Sequence, residues 1–286
     1  MSEKQHSSST EIESLITLYL DPDPRIRHAV TSRLMEWGQA AVPLIDQARA
    51  RTKASDEKQK LEKILFELTY PLLLDEFSEV VHLGIHEISQ LERAILLLSR
   101  LDQPTFRTKW ISTKLDEMAD EIEPAILSAE SSKTKMEVLL RYVFEELNFK
   151  GDRQEYHALE NSLLHEVMDH RKGIPLTLSL IILFLADRLQ LPFYGVNMPI
   201  HFMLLFDPKG SRIYIDPFDD GAVVSREQCL IFMKHNEIPP RPEYFEPCLP
   251  IEILRRHLRN LINSCEKDGD NECSAKVNEL LRLIEV

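Results

Sequence analysis

The sequence has no apolar run long enough to cross a bilayer. The longest, from Pro175 to Ala186, stops at Asp187 and Arg188 and reads as a core helix. Its opening segment, MSEKQHSSSTEIES, is polar throughout and is no signal peptide. Positive charge is also short. Against 47 Asp and Glu stand 34 Lys and Arg, a formal net charge of -13. Such a surface repels phosphate backbones. The basic clusters Arg49–Lys53 and Arg255–Arg259 are short and interleaved, so neither a nucleic acid nor a membrane is an expected partner. Cysteine is scarce. Cys229, Cys248, Cys265 and Cys273 include no CxxC spacing, so no zinc site or redox motif is indicated. Together these absences predict a cytoplasmic chain with its four cysteines reduced.

What is present is apolar substance and helical period. The chain has 286 residues, 43% of them hydrophobic, enough for one large domain or two smaller ones. Residues 1–10 are Ser-rich and read as a disordered tail. From Glu11 the period is helical: Ile12, Leu15, Ile16 and Tyr19 share one face. The DPDP turn breaks that helix, and Pro24 suits the first turn of the next. Further stripes follow through Val30 and Leu34, Leu44 and Ile45, then Leu61 and Leu65. Paired short helices with DPDPRIR and a later AVPLI resemble a HEAT-type repeat over 11–70. Tyr70-Pro71 is read as a boundary, and Pro104 and Pro124 as separators of the helical stripes that follow.

Two histidine pairs are tested for metal binding. His82 and His86 stand four apart, but no third ligand is evident, so no metal is expected there. HEVMDH superficially suggests a zinc protease. That chemistry needs two histidines at i, i+4 on one helix face, and His165 and His170 are five apart. No cofactor motif stands elsewhere, and no cofactor is expected.

The informative stretch runs from Gly173 to Phe218. Pro175 opens a buried helix; Pro192 stops it; a strand follows from Phe193 to Val196. A second strand, about His201 to Phe206, is apolar on both faces, which makes it central. After a DPKG turn a third strand returns antiparallel from Arg212 to Asp216. This order sets His201 and Asp216 on neighbouring strands, facing the start of the Pro175 helix. Downstream, Gly221–Val224 reads as a short strand and Ser225 with Gln228 as a capping box opening a helix.

HEVMDHRKGIPLTLSLIILFLADRLQLPFYGVNMPIHFMLLFD with IYIDPF resembles the bacterial SirB-type family of transglutaminase-like proteins, over roughly residues 75–265. A related domain occurs in some F-box proteins. The resemblance implies an α+β, predominantly helical fold: a helical N-terminal region packed on a papain/transglutaminase-like core with a small antiparallel sheet. It implies a core over 71–250 and a tetratricopeptide-like hairpin over 251–286. In the wider superfamily a Cys at the helix start is the nucleophile, a strand His its base, and an Asp on the next strand orients the His. His201 and Asp216 match the His and Asp. Pro175 falls at the Cys position, and Ile200 replaces the usual Gly of PGHF.

With proline where the nucleophile belongs, Thr177 and Ser179 are the hydroxyls left in the run. Each is two or more positions away, and a helix rotates about 100° per residue, so both are disfavoured. Cys229, far along the chain, reads as a small buried apolar residue. His201 and Asp216 are read as a vestigial pair, a hydrogen bond tying two core strands. The expected function is a non-catalytic binding, scaffold or regulatory module with a protein partner. The alternative is a divergent hydrolase or acyltransferase that uses His201 and Asp216 with a nucleophile other than cysteine.

Overall fold

The structure, a computed structural model, describes residues 2–21 and 23–285. It is predominantly helical with a small antiparallel sheet, and it divides into two compact units. The first holds residues up to 76 together with 99–107; the second holds 77–98 and residues from 108 onward.

The first unit contains α1 (Ser2–Tyr19), α2 (Pro24–Trp37), α3 (Val42–Arg51) and the larger part of α4 (Ser55–His82). Their apolar stripes converge: Ile12, Ile16, Leu34, Ile45, Leu61 and Leu65 form one buried cluster. Asp23 caps α2 by accepting from the Arg25 N–H at 2.9 Å, and Pro24 fills the first turn. Two expectations need correction. Residues 2–10 are helical rather than a disordered tail, since α1 starts at Ser2; Met1 lies outside the described residues. The physical reason is that a helix fixed by the buried face of Ile12, Ile16 and Tyr19 extends cheaply into flanking residues free of Gly and Pro. Tyr70-Pro71 is no boundary, because α4 runs through Pro71. Proline forfeits one backbone hydrogen bond there, but Leu68 and Leu73 are buried on either side, and that burial outweighs it.

The second unit opens with α5 (Ile88–Leu97), α6 (Lys109–Ser128) and α7 (Ser132–Arg141). Pro124 lies inside α6 and separates nothing, a second case where an amphipathic face overrides a breaker. Next come β1 (Lys150–Gly151), α8 (Leu164–His170) and β2 (Lys172–Gly173), with β1 and β2 paired in parallel. Gly151 is required by close packing: a Cβ there would lie 2.5 Å from the Phe218 ring.

At the centre is α9 (Pro175–Arg188), buried on all sides from Pro175 to Ala186. Its end is anchored by Arg188, which grips Glu92 of α5 with both terminal nitrogens, at 2.6 and 2.9 Å, and reaches Asp116 of α6 at 2.7 Å. The sheet follows as a meander in the order β3 (Phe193–Val196), β4 (Met203–Phe206), β5 (Ile213–Asp216) and β6 (Ala222–Val224). Leu204 opposes Ile215, and Leu205 opposes Tyr214. Ser225 and Gln228 form the capping box of α10 (Arg226–His235).

The chain ends in a hairpin of α11 (Pro250–Lys267) and α12 (Asn271–Leu283). This hairpin corrects the cysteine expectation. Cys265 and Cys273 are joined as a disulfide, leaving Cys229 and Cys248 free. Folding back of α12 brings their Cα atoms to 5.9 Å, a bridging distance that CxxC counting does not detect. No described helix is long and apolar enough to cross a membrane.

Candidate functional site

His201 stands just before β4, at the end of the loop Asn197–Ile200, and Asp216 closes β5. The loop is held from behind by Arg256 of α11, whose Nη1 donates to Asn197 Oδ1 and to the Met198 carbonyl, each at 2.6 Å. Ile200 has φ 67°, the left-handed region that a β-branched residue rarely enters, and its side chain is 60% exposed. Glycine, which the PGHF form of the resemblance has at this position, adopts that backbone angle at little cost.

His201 Nε2 and Asp216 Oδ1 lie 2.8 Å apart, both side chains largely covered. The same carboxylate oxygen accepts from the Phe218 N–H at 2.9 Å. Burial pushes the Asp216 carboxyl up, but the hydrogen bond and charge of His201, with backbone donors, outweigh it and hold the group below its ordinary value. The imidazole is boxed by the rings of Phe232 at 5.8 Å and Phe218 at 6.3 Å. In a Ser-His-Asp arrangement the acid engages Nδ1 and Nε2 faces the nucleophile. Here Asp216 occupies Nε2.

The pair does not face the start of α9, as the sequence order had suggested. Strand alternation sets Met203, Leu205 and Tyr214 on one face, in a cluster with Cys229 and Met233 of α10. Asp216, two residues past Tyr214, shares that face. Leu204 and Ile215, both fully buried, point the other way, and α9 packs against β3 and β4 from that side. A cavity of about 410 Å³ opens beside the pair, walled by His201, Asp216, Phe218, Gln228, Cys229 and Phe232 among others. No residue of α9 lines it. Strand order alone does not tell which face of a sheet a helix covers, and this accounts for the misplacement.

The hydroxyls in the Pro175 run are committed elsewhere. Thr177 Oγ1 donates to the Asn161 carbonyl at 2.8 Å and accepts from the Ile174 N–H at 3.1 Å; Ser179 Oγ donates to the Pro175 carbonyl at 2.8 Å. Both side chains are fully buried. The sequence reading set Cys229 aside, yet α10 brings it into the cavity. Burial and then the Asp216 charge push its thiol up, which keeps it protonated. The signal that could have found it is the capping box: a helix starting at Ser225 carries Cys229 and Phe232 on one side at i, i+3 spacing.

The histidine pairs fall apart in space. His82 ends α4 and His86 lies past that end, so the two share no helix face. His165 is buried whereas the side chain of His170 is largely exposed, as a five-residue spacing demands.

A buried helix, a short antiparallel meander and a His–Asp pair at the ends of adjacent strands define a protein with a transglutaminase-like core. The chain belongs to the transglutaminase-like superfamily, whose sequence pattern matches residues 109–259, more than half of its length. It is similar to the UPF0162 protein of Vibrio cholerae serotype O1, 32% identical over 138 residues, which cover 48% of this chain and 51% of that one. The chain thus spans about half the length of that relative. A UPF0162 protein of Xylella fastidiosa is 26% identical over 196 residues, 65% of this chain and 70% of the relative. F-box only protein 21 of Homo sapiens is 31% identical over 166 residues, 55% of this chain and 26% of the relative. No solved structure matches the chain.

Proposed function

We propose that the protein is a non-catalytic binding or regulatory module whose ligand or protein partner engages the cavity beside His201 and Asp216. One observation carries this reading: the helix start that would bear the nucleophile has Pro175, and Thr177 and Ser179 behind it are fully buried and hydrogen-bonded to carbonyls. Nucleophilic catalysis needs a reachable atom beside its base. The extent of the human relative agrees with a portable module, since the matching stretch makes up only 26% of that longer protein.

A divergent hydrolase or acyltransferase is the second reading. The observation favouring it is that Cys229 and the His201–Asp216 pair share one cavity. Two measurements separate the readings. Intact-mass analysis after treatment with hydrolase- and thiol-directed acylating probes should give no fast adduct on Thr177, Ser179 or Cys229; a rapid stoichiometric adduct on any of them would establish the enzyme. Affinity capture from lysate should yield a partner that a cavity-filling Val224→Trp variant no longer holds. Equal capture by both forms would move the binding surface away from the cavity.

A further inference from the structure

The polar groups of the cavity beside His201 follow a definite pattern. Asp216 is held below its ordinary carboxyl value, so it is ionised and can only accept. The proton in its 2.8 Å contact with His201 therefore sits on Nε2. A neutral imidazole protonated at Nε2 presents a lone pair at Nδ1. That atom has no hydrogen-bond partner among the described residues and, unlike Nδ1 of His257, it is not sealed from solvent. The His201 ring lines the cavity, and an acceptor there awaits a donor.

Charge on the same walls is already matched. Asp216 is taken by His201 and the Phe218 N–H. Asp219 is paired with Arg153 at 2.8 Å, and the Arg153 guanidinium lies 5.1 Å over the Phe218 ring. The Cys229 thiol, pushed up by burial, stays protonated. An ionic guest would have to compete with one of these pairs; a neutral guest would not. The rest of the lining is apolar and soft: Met198, Met203, Phe218, Val224 and Phe232. Thioethers and phenyl rings both favour contact with an aromatic ring. A volume of about 410 Å³ is that of a small-molecule site, with room for a fused bicyclic ring.

We infer that this cavity takes a neutral aromatic group with an N–H or O–H donor, whose hydrogen His201 Nδ1 accepts. The inference rests on the cavity reading above and adds the chemistry of what is held. An indole or a phenol has this form, either as a free small molecule or as a Trp or Tyr side chain of a protein partner.

The test is an NMR titration of the full chain, with isotope-labelled methionine methyl groups, at mildly alkaline pH. The Met198 and Met203 signals, assigned through Met198→Leu and Met203→Leu variants, should shift saturably with indole. Benzofuran has the size of indole but an oxygen in place of the N–H. It sets one lone pair against another and should bind about tenfold more weakly. His201→Phe keeps a ring without the acceptor and should bring the two compounds to equal affinity. Val224→Trp should abolish both titrations. A blocked tripeptide with a central tryptophan separates the sources: binding tighter than indole assigns the site to a partner's side chain, and weaker binding assigns it to a small molecule. The inference is overturned if indole leaves both methionine signals unmoved, or if benzofuran binds as tightly as indole. Either result leaves the cavity reading to the capture experiment, which Val224→Trp decides on its own. Should His201→Phe fail to fold, the ratio of indole to benzofuran affinity in the parent chain decides the inference.

Discussion

His201 meets Asp216 through Nε2, at 2.8 Å, so the nitrogen left over is Nδ1, beside the ring carbon that carries the side chain. A base needs an open approach to its free nitrogen, and in a nucleophile–His–Asp arrangement the outer one is kept for that purpose. The hydrogen bond ties the β4 entry to the end of β5. Asp216→Asn should cost about 1.5–3 kcal/mol, the range for a hydrogen bond to a charged group. The folded-state pKa of Asp216 is depressed, so its contribution is present above the unfolded value and is lost as pH falls below about 4. Urea unfolding at neutral and acid pH checks both. A variant as stable as the parent at neutral pH would remove the structural role.

Ile200→Gly should raise stability by about 1 kcal/mol, because the left-handed backbone costs an L-residue roughly 1–2 kcal/mol and glycine much less. The exposed isoleucine side chain gives up little burial in exchange. A shift of the urea midpoint without a change in m would show it, while a loss of stability would mean that Ile200 packs on something that outweighs its backbone.

Removing Arg188 strands Glu92, which is 7% exposed. Arg188→Leu alone should cost about 3–5 kcal/mol, and much of that should return in the Arg188→Leu, Glu92→Met double variant. Equal destabilisation in the single and double variants would contradict the buried-pair argument.

His257 is fully buried on α11, its Nδ1 has no partner among the described residues, and burial pushes its pKa down to about 4. The unfolded chain binds this proton near the ordinary value of 6.5, so acid favours unfolding between that value and about 4. Stability should fall by about 3 kcal/mol as pH drops across this window, at about 1.4 kcal/mol for each pH unit crossed. His257→Leu should flatten that segment of the pH profile. A slope unchanged by the substitution would place the proton elsewhere.

Much of the core was legible because its signals are local. The continuous apolar run Phe202–Phe206 marks β4, Pro175 and Pro192 bracket α9, and Ser225 with Gln228 announces α10. The His201–Asp216 pair followed from strand order and family resemblance. What escaped depends on tertiary burial. Pro71 and Pro124 look like breakers until their flanking apolar residues are packed. The Cys265–Cys273 pairing depends on how α12 folds back, which eight residues of separation do not specify. The placement of α9 behind the sheet, and of Cys229 in front of it, is a choice of face, and strands apolar on both sides carry no mark of that choice.

The position of α9 also bears on what a cysteine at residue 175 could reach. A thiol restored in place of Pro175 would sit at a helix start that lines no part of the cavity, with His201 turned to Asp216 through its outer nitrogen. A single substitution there would supply a thiol without placing it in that cavity. What surrounds position 175 is set by the arrangement of several elements, and a comparison that scores that one residue alone does not report it.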